Sequence, residues 1–180
     1  DGPVDIYNNF TGVSSIGLPA VVMLASSWNT DLAQRYGSCI GKMAAEMNVS
    51  GWYAPSMNMH RSAFAGRNFE YYSEDGFLSG KMAASVVKGA AEHGVYSYIK
   101  HFALNDFETD RWYKDSVWAN EQSIREIYLK PFELAVKEGG ATAVMSSYNY
   151  IGAVWAGACA PMLQNVLRDE WGFRGMVITD

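Results

Sequence analysis

Two apolar runs of this chain end on residues that can do chemistry. Tyr96 to Ile99 is followed by Lys100 and His101, and Met176-Val177-Ile178-Thr179 is followed by Asp180. Past two further runs stand Asn58, His60, Arg61 and Arg67, and then Ser146, Ser147, Tyr148 and Asn149. Cations, a histidine, a tyrosine and a carboxylate gathered on one face suit two chemistries. In one, Lys100 is the amine nucleophile of a Schiff base, as in aldolase-like barrels. The other is sugar chemistry, because charged side chains hold a ring of hydroxyls by charge-assisted hydrogen bonds. Glycosyl transfer then needs a carboxylate to meet positive charge at the anomeric carbon and a second acid for the leaving oxygen. Asp180 suits the first of these roles.

Plainer readings stand beside these. His60 and His93 read as structural or solvated, and Arg67 can simply pair with Glu70 or Glu74. Tyr148 alone would be packing, and Glu121, Arg125 and Glu126 read as a solvated helix face. No HxxxH or HxH spacing occurs and the three histidines lie apart, so neither a metal nor an organic cofactor is expected. No GxGxxG or GxxxxGK[ST] follows a strand, which counts against nucleotide binding. No GxSxG elbow supports Ser-His-Asp hydrolysis.

The elements that must position these residues alternate. Pro19 to Ala25 is a short, nearly continuous apolar run and reads as a buried strand. A helix follows from about Asp31 to Met47, capped by Asn29 or Thr30, with Leu32, Tyr36, Cys39, Ile40, Met43 and Met47 on one face. Val49 to Ala54 reads as a strand, Pro55 to Tyr72 as a loop, and Ser73 to His93 as a helix stopped by Gly94. Tyr96 to Ile99 is the third strand. A third helix opens with Ser123-x-x-Glu126 as a possible capping box, kinks at Pro131 and ends at Gly139-Gly140. Ala141 to Met145 is the fourth strand, Pro161 starts the fourth helix, Gly172 stops it, and Gly175 to Thr179 is the fifth strand. Strands alternating with helices predict a parallel α/β sheet. It is either an open doubly wound sheet or about five β/α units of a (β/α)8 TIM-type barrel. In both, ligands bind at the carboxyl ends of the strands, where the chemistry-bearing residues fall.

The 180 residues carry 14 basic and 19 acidic side chains, a net charge of −5 with no basic block, so neither nucleic acid nor an anionic membrane is an expected partner. No stretch is long and apolar enough for a transmembrane helix. Cys39 and Cys159 read as buried free thiols. The start at Asp1-Gly2-Pro3, without Met, and the stop directly after a strand at Asp180 lead us to expect a segment of something longer.

Five spaced motifs carry a resemblance. They are GRNFEYYSED (66–75), KHFALND (100–106), REIYLKPFE (125–133), MSSYN (145–149) and LRDEWGFRGMVITD (167–180). With the opening DGP, they resemble glycoside hydrolase family 3, the family of β-glucosidases and β-xylosidases. The resemblance implies part of a catalytic (β/α)8 domain and a retaining mechanism with Asp180 as the nucleophile. It implies that Asp1, Arg67, Lys100 and His101 hold the hydroxyls of the innermost sugar, that Tyr148 stands beside the nucleophile and that Met145 lines the pocket. Phe107 stands where many members have Gln, and Gly76 where Pro is common. The N-acetylglucosaminidase branch carries its acid/base as a His loop near the third strand. This chain has Ala103 and Leu104 there and no His between His101 and Asp180. The expected acid/base is therefore a Glu from a second domain outside this sequence. The implied activity is release of a terminal β-linked sugar, most often glucose, from an oligosaccharide or glycoside. A β-xylosidase, an arabinosidase-like member and a non-catalytic sugar-binding relic are the alternatives.

Overall fold

The computed structural model describes residues 7–8 (backbone only), 12–111 and 115–180. Asp1, one of the expected site residues, lies outside them. The central element is a parallel sheet of four strands: β1 (Gly51–Trp52), β2 (Tyr96–Phe102), β3 (Ala143–Ser146) and β4 (Met176–Ile178). Gly51 pairs with Tyr96, Tyr98 with Ala143, and Ala143 with Met176. The strands lie side by side in chain order. A doubly wound sheet reverses direction at a switch point, whereas consecutive order is that of an arc of a (β/α) barrel.

The helices are α1 (Val21–Ser26), α2 (Thr30–Glu46), α3 (Gly76–Ala91) and α4 (Lys130–Lys137), followed by a π-helical segment, Pro161–Glu170. Here the sequence reading needs a first correction. Pro19 to Ala25 is not a strand, because Val21 to Ser26 is helical. Its buried residues, Val21, Leu24 and Ala25, follow i, i+3, i+4 spacing, and Met23 is exposed. The sheet therefore has four described strands where five were expected.

Asn29 caps α2 through a hydrogen bond from the Leu32 amide at 2.9 Å. The buried stripe of α2 is rotated from the predicted one. Ala33, Tyr36, Gly37, Ile40 and Gly41 face inward, whereas Leu32 and Cys39 are exposed. Close backbone approach is the cause. A side-chain carbon at Gly37 would come within 2.1 Å of the Val86 carbonyl oxygen, and one at Gly89 within 2.0 Å of that of Gln34. These glycines let α2 and α3 touch backbone to backbone. Both cysteines are free, and only Cys159 is buried.

The third predicted helix is capped by Asn120, whose side chain accepts from the Ser123 amide at 2.8 Å, and not by a Ser123 box. Ile124–Tyr128 is π-helical, and α4 then starts with Pro131 in its first turn. The kink expected at Pro131 is thus a break just before it, where a proline lacking its amide donor is tolerated. Gly94 and Gly172, at φ of +75° and +73°, stop helices as expected. Phe102 meets Phe132 and Trp171 edge to face, at 5.3 and 5.9 Å, and so anchors the end of β2 to the helical layer.

Candidate active site

The polar residues collect at the carboxyl ends of the four strands. Lys100 and His101 are consecutive in β2, so strict alternation would send them to opposite faces. The ladder prevents this. Ile99 pairs with Val144 and Phe102 with Ser146, so β2 gains one residue over β3 at this point. Such a bulge re-aims side chains. The backbone of Lys100 turns to the chain after β1, donating to the Pro55 carbonyl at 3.1 Å and accepting from the Met57 amide at 2.9 Å. Lys100 and His101 are both buried, and both meet the Arg67–Glu70 turn.

That turn is the 3-10 segment Asn68–Glu70. His60 holds it, its Nε2 lying 2.8 Å from the Asn68 carbonyl and 2.9 Å from that of Tyr71, which is the structural role expected of it. Glu70 is 2% exposed. One carboxylate oxygen accepts from Arg67 Nε. The other accepts from the Ser56 hydroxyl at 2.9 Å and faces Lys100 Nζ at 3.8 Å. Burial is the largest influence on Glu70 and opposes its ionisation, but the hydrogen bond and charge of Arg67 act with further positive charge nearby and together hold the carboxyl below its ordinary range. Burial pushes the Lys100 amine below its ordinary value, against the pull of Glu70.

His101 is locked from both sides. Its Nδ1 lies 3.2 Å from Asn58 Oδ1, which also accepts from the His101 amide at 2.8 Å. Asn58 Nδ2 donates to the His101 carbonyl at 2.9 Å. Arg67 Nη2 is 3.2 Å from His101 Nε2. A guanidinium can only donate, so Nε2 is the lone-pair nitrogen and Nδ1 carries the proton. Burial first, and then the charges of Arg67 and Lys100, depress the histidine well below its usual value and keep it neutral.

The ladder of charge continues to Asp180. Arg67 Nη1 lies 3.6 Å from Glu108 Oε2, Glu108 Oε1 lies 3.0 Å from Arg111 Nε, and Arg111 Nη1 is 3.2 Å from Asp180 Oδ2. Signs therefore alternate along Lys100, Glu70, Arg67, Glu108, Arg111 and Asp180. Each member has an opposite neighbour, which buried charges require. The guanidinium of Arg111 also stacks over the Tyr148 ring at 5.1 Å from its centroid. Tyr148 thus stands one residue from Asp180 in the network, and Met145 is buried in β3, paired with Ile178 two residues before Asp180. Ser147 ties this rim to β2, its amide donating to the Phe102 carbonyl and its hydroxyl to that of Ala103, both at 2.9 Å.

The structure brings Arg67, Lys100, His101, Tyr148 and Asp180 together at one rim. Glu70, Glu108 and Arg111 were not singled out. Glu70 was visible only as a possible partner of Arg67. Glu108 and Arg111, three apart just past KHFALND, gave the spacing of an ion pair and nothing about where it would sit.

Asp106 is a separate carboxyl beside this network. It is 4% exposed, Oδ1 accepts from the Met59 amide at 2.5 Å, and Oδ2 has no partner among the described residues. Burial raises it from 3.8 to about 6, against the Met59 hydrogen bond and the charge of Arg61. The folded state therefore binds this proton more tightly than the unfolded chain. The associated stability is full below pH 3.8 and is lost as pH rises through about 6. A shift of about two units corresponds to roughly 3 kcal/mol. We expect the stability of Asp106→Asn relative to the parent to rise by about that much between pH 4 and pH 7, measured by denaturant unfolding. A pH-independent difference would show that Asp106 is not held protonated.

A barrel arc with a chain of alternating charges along its carboxyl rim defines a (β/α)-barrel protein with a polar strand-end face. The comparisons narrow this. The family model for the glycosyl hydrolase family 3 N terminal domain matches residues 8–180, and the chain belongs to that family. Beta-glucosidase A of Butyrivibrio fibrisolvens is 43% identical over 181 residues, covering 100% of this chain and 22% of its own length. Beta-glucosidase B of Emericella nidulans is 41% identical over 169 residues, covering 94% and 20%. Beta-glucosidase 3B from Thermotoga neapolitana, solved in complex with alpha-D-glucose, superposes with a TM-score of 0.89 at 44% identity, covering 91% of this chain and 23% of that one. The beta-glucosidase from Kluyveromyces marxianus in complex with glucose gives 0.91 at 36%, covering 100% and 22%. The chain spans about a fifth of the length of these relatives.

Proposed function

We propose that this chain supplies the sugar-holding and nucleophilic part of the active site of an exo-acting, retaining β-glucosidase. The observation that carries the reading is the alternating charge network that ends at Asp180 on the strand-end rim, in a family whose relatives here are beta-glucosidases. Arg67 and Lys100 are donors for hydroxyls of the innermost sugar, oriented by Glu70. His101, neutral and fixed by Asn58, shapes the same wall, and Asp1 completes the hydroxyl contacts. Met145 and Tyr148 line the pocket beside the nucleophile.

Arg111 engages Oδ2 of Asp180, and Oδ1 attacks the anomeric carbon. A bond forms from that carbon to Oδ1 as the bond to the leaving oxygen breaks. A Glu of a second domain gives the leaving oxygen its proton and then takes one from the water that cleaves the glycosyl-aspartate. Contacts to hydroxyls remote from the reacting bond supply orientation and transition-state binding. A Schiff base on Lys100 has less support, since this amine is ion-paired with Glu70 at 3.8 Å.

Two measurements test the reading. A 2-deoxy-2-fluoro β-glucoside should label Asp180 in the full-length enzyme, and labelling of another residue would overturn the assignment. Borohydride trapping at Lys100 would favour the aldolase-like chemistry. The 180-residue chain alone should not turn over an aryl β-glucoside with a good leaving group, which needs little protonation. Ordinary turnover would sink the proposal that a second domain completes the site.

A further inference from the structure

Two stretches of chain carry the charged rim. The one after β1 holds Arg67 and Glu70, and the one after β2 holds Glu108 and Arg111. Three hydrogen bonds tie them together. The Tyr71 hydroxyl donates to the Asn105 carbonyl at 3.0 Å, the Met59 amide to Asp106 Oδ1 at 2.5 Å, and the Glu108 amide to the Ala65 carbonyl at 2.9 Å. The middle bond alone is accepted by a side chain, and that side chain is titratable. Two residues beyond it, Glu108 reaches Arg67 Nη1 at 3.6 Å and Arg111 Nε at 3.0 Å, and Arg111 Nη1 reaches Asp180 Oδ2 at 3.2 Å. A movement at Asp106 is therefore carried to Asp180 through two residues of chain and two ion pairs.

The surroundings of Asp106 suit its neutral form. It is 4% exposed, and Oδ2 has no hydrogen-bond partner among the described residues. A cavity of about 400 Å³ adjoins it, lined also by Arg61 and Asp115. Arg61 is the cation that faces it. Its guanidinium lies over the Tyr128 ring, 5.4 Å from the centroid, and makes no ion pair with Asp106 among the described residues. The other titratable groups that face Asp106 are Tyr71, Tyr128 from the π-helical segment, and Asp115 across the cavity. None of these three offers a positive charge. A carboxylate formed here has to draw in Arg61 or water, and the cavity has room for either. Both moves pull on the stretch that carries Glu108.

We propose that Asp106 is a positioning residue for the sugar site, clasping the Glu108–Arg111 stretch to the Arg67 stretch while its carboxyl stays protonated. Ionised, it turns toward Arg61, and the two arginines at Glu108 lose the spacing that the sugar needs. The proton goes to solvent, and no covalent bond between heavy atoms changes. The inference deepens the β-glucosidase reading and rests on it for the ligand. Burial raises the carboxyl to about 6, so the clasp is complete below that value and is released above it.

The test uses the full-length enzyme and reads the Kd for glucose, a ligand that stays neutral, between about pH 5 and pH 8. The parent should bind glucose about 10-fold more weakly at the upper end, the scale of one lost hydrogen bond. Asp106→Asn keeps an acceptor for the Met59 amide and cannot ionise, so its Kd should change by less than about 2-fold over that range. Arg61→Met removes the cation that favours ionisation, so the midpoint of the parent's loss should move to higher pH. A role in stability alone would move the Tm of Asp106→Asn and leave the pH dependence of Kd as in the parent. That result, or a pH-independent Kd in the parent, overturns the proposal. If Asp106→Asn fails to fold, Arg61→Met decides, and an unshifted midpoint overturns it. Hydrogen exchange separates the clasp from the reading it rests on. Protection of residues 104–111 should fall above about pH 6 in the parent and not in Asp106→Asn, whether or not glucosides are cleaved. A parent enzyme that neither binds glucose nor cleaves a β-glucoside at any pH overturns the β-glucosidase reading, and equal exchange in parent and variant then overturns the clasp.

Discussion

In the full-length enzyme, replacing Asp180 with Gly lowers kcat/KM on an aryl β-glucoside by roughly 10⁴-fold, the scale expected when a covalent nucleophile is removed. The fold should survive. Asp180 is the terminal member of the charge network, and its neighbour Arg111 keeps Glu108 at 3.0 Å and the Tyr148 ring as partners. The variant then has an intact sugar site and a vacant position below the anomeric carbon. Added azide should fill that position and restore part of the turnover. It attacks from the side the carboxylate used, so the product should be the α-glucosyl azide, inverted relative to the substrate. A β-azide, or full activity without azide, would contradict Asp180 as the attacking group. Asp180→Asn should be equally slow and resist rescue, because the amide occupies the space.

The residues at strand ends were the legible part of this site. An apolar run that stops on a charged residue marks a strand delivering a side chain to a rim, and Lys100, His101 and Asp180 were all visible that way. What stayed hidden depends on the third dimension. Nothing in the spacing of Arg67 and Glu70 says that Glu70 is fully enclosed and shared with Lys100, thirty residues on. The same holds for Arg111, which reaches Asp180 across a separation of 69 residues. The error at Pro19 to Ala25 has a different origin. A short continuous apolar run has no period to read, so a buried helix and a buried strand look alike. In α2 the periodicity was right, but the face was rotated. The pattern weighs side chains by their apolarity, and the close approach to α3 is made at Gly37 and Gly41, which have no side chain to weigh.

Glu70→Gln is the second substitution with a large expected effect, and it separates positioning from chemistry. The side chain keeps its shape but loses its charge while 1% exposed, and leaves two cations, Arg67 and Lys100, short of their shared counterion. Breaking a buried pair from one side costs about 3–5 kcal/mol. A fall in Tm is therefore expected, and its pH dependence has a definite sign. The folded Glu70 titrates below the ordinary 4.5, so its contribution is present above that value and is lost as pH falls through the depressed one. The parent should lose this increment on acidification, and Glu70→Gln should lack it.

The kinetic consequence has a signature that destabilisation alone does not produce. Glu70 acts through donors to hydroxyls and not on the leaving group. kcat/KM should fall by roughly 10²-fold or more, by the same factor for good and poor aryl leaving groups, since lost charge-assisted bonds cost about 1.5–3 kcal/mol each. A variant of the acid/base would instead spare the good leaving group. Deoxygenated glucosides complete the argument. Where the parent discriminates against a substrate lacking the hydroxyl that Arg67 and Lys100 hold, Glu70→Gln should discriminate far less, because the two losses share one interaction and do not add. Undiminished discrimination would mean that Glu70 supports the fold without orienting the two donors.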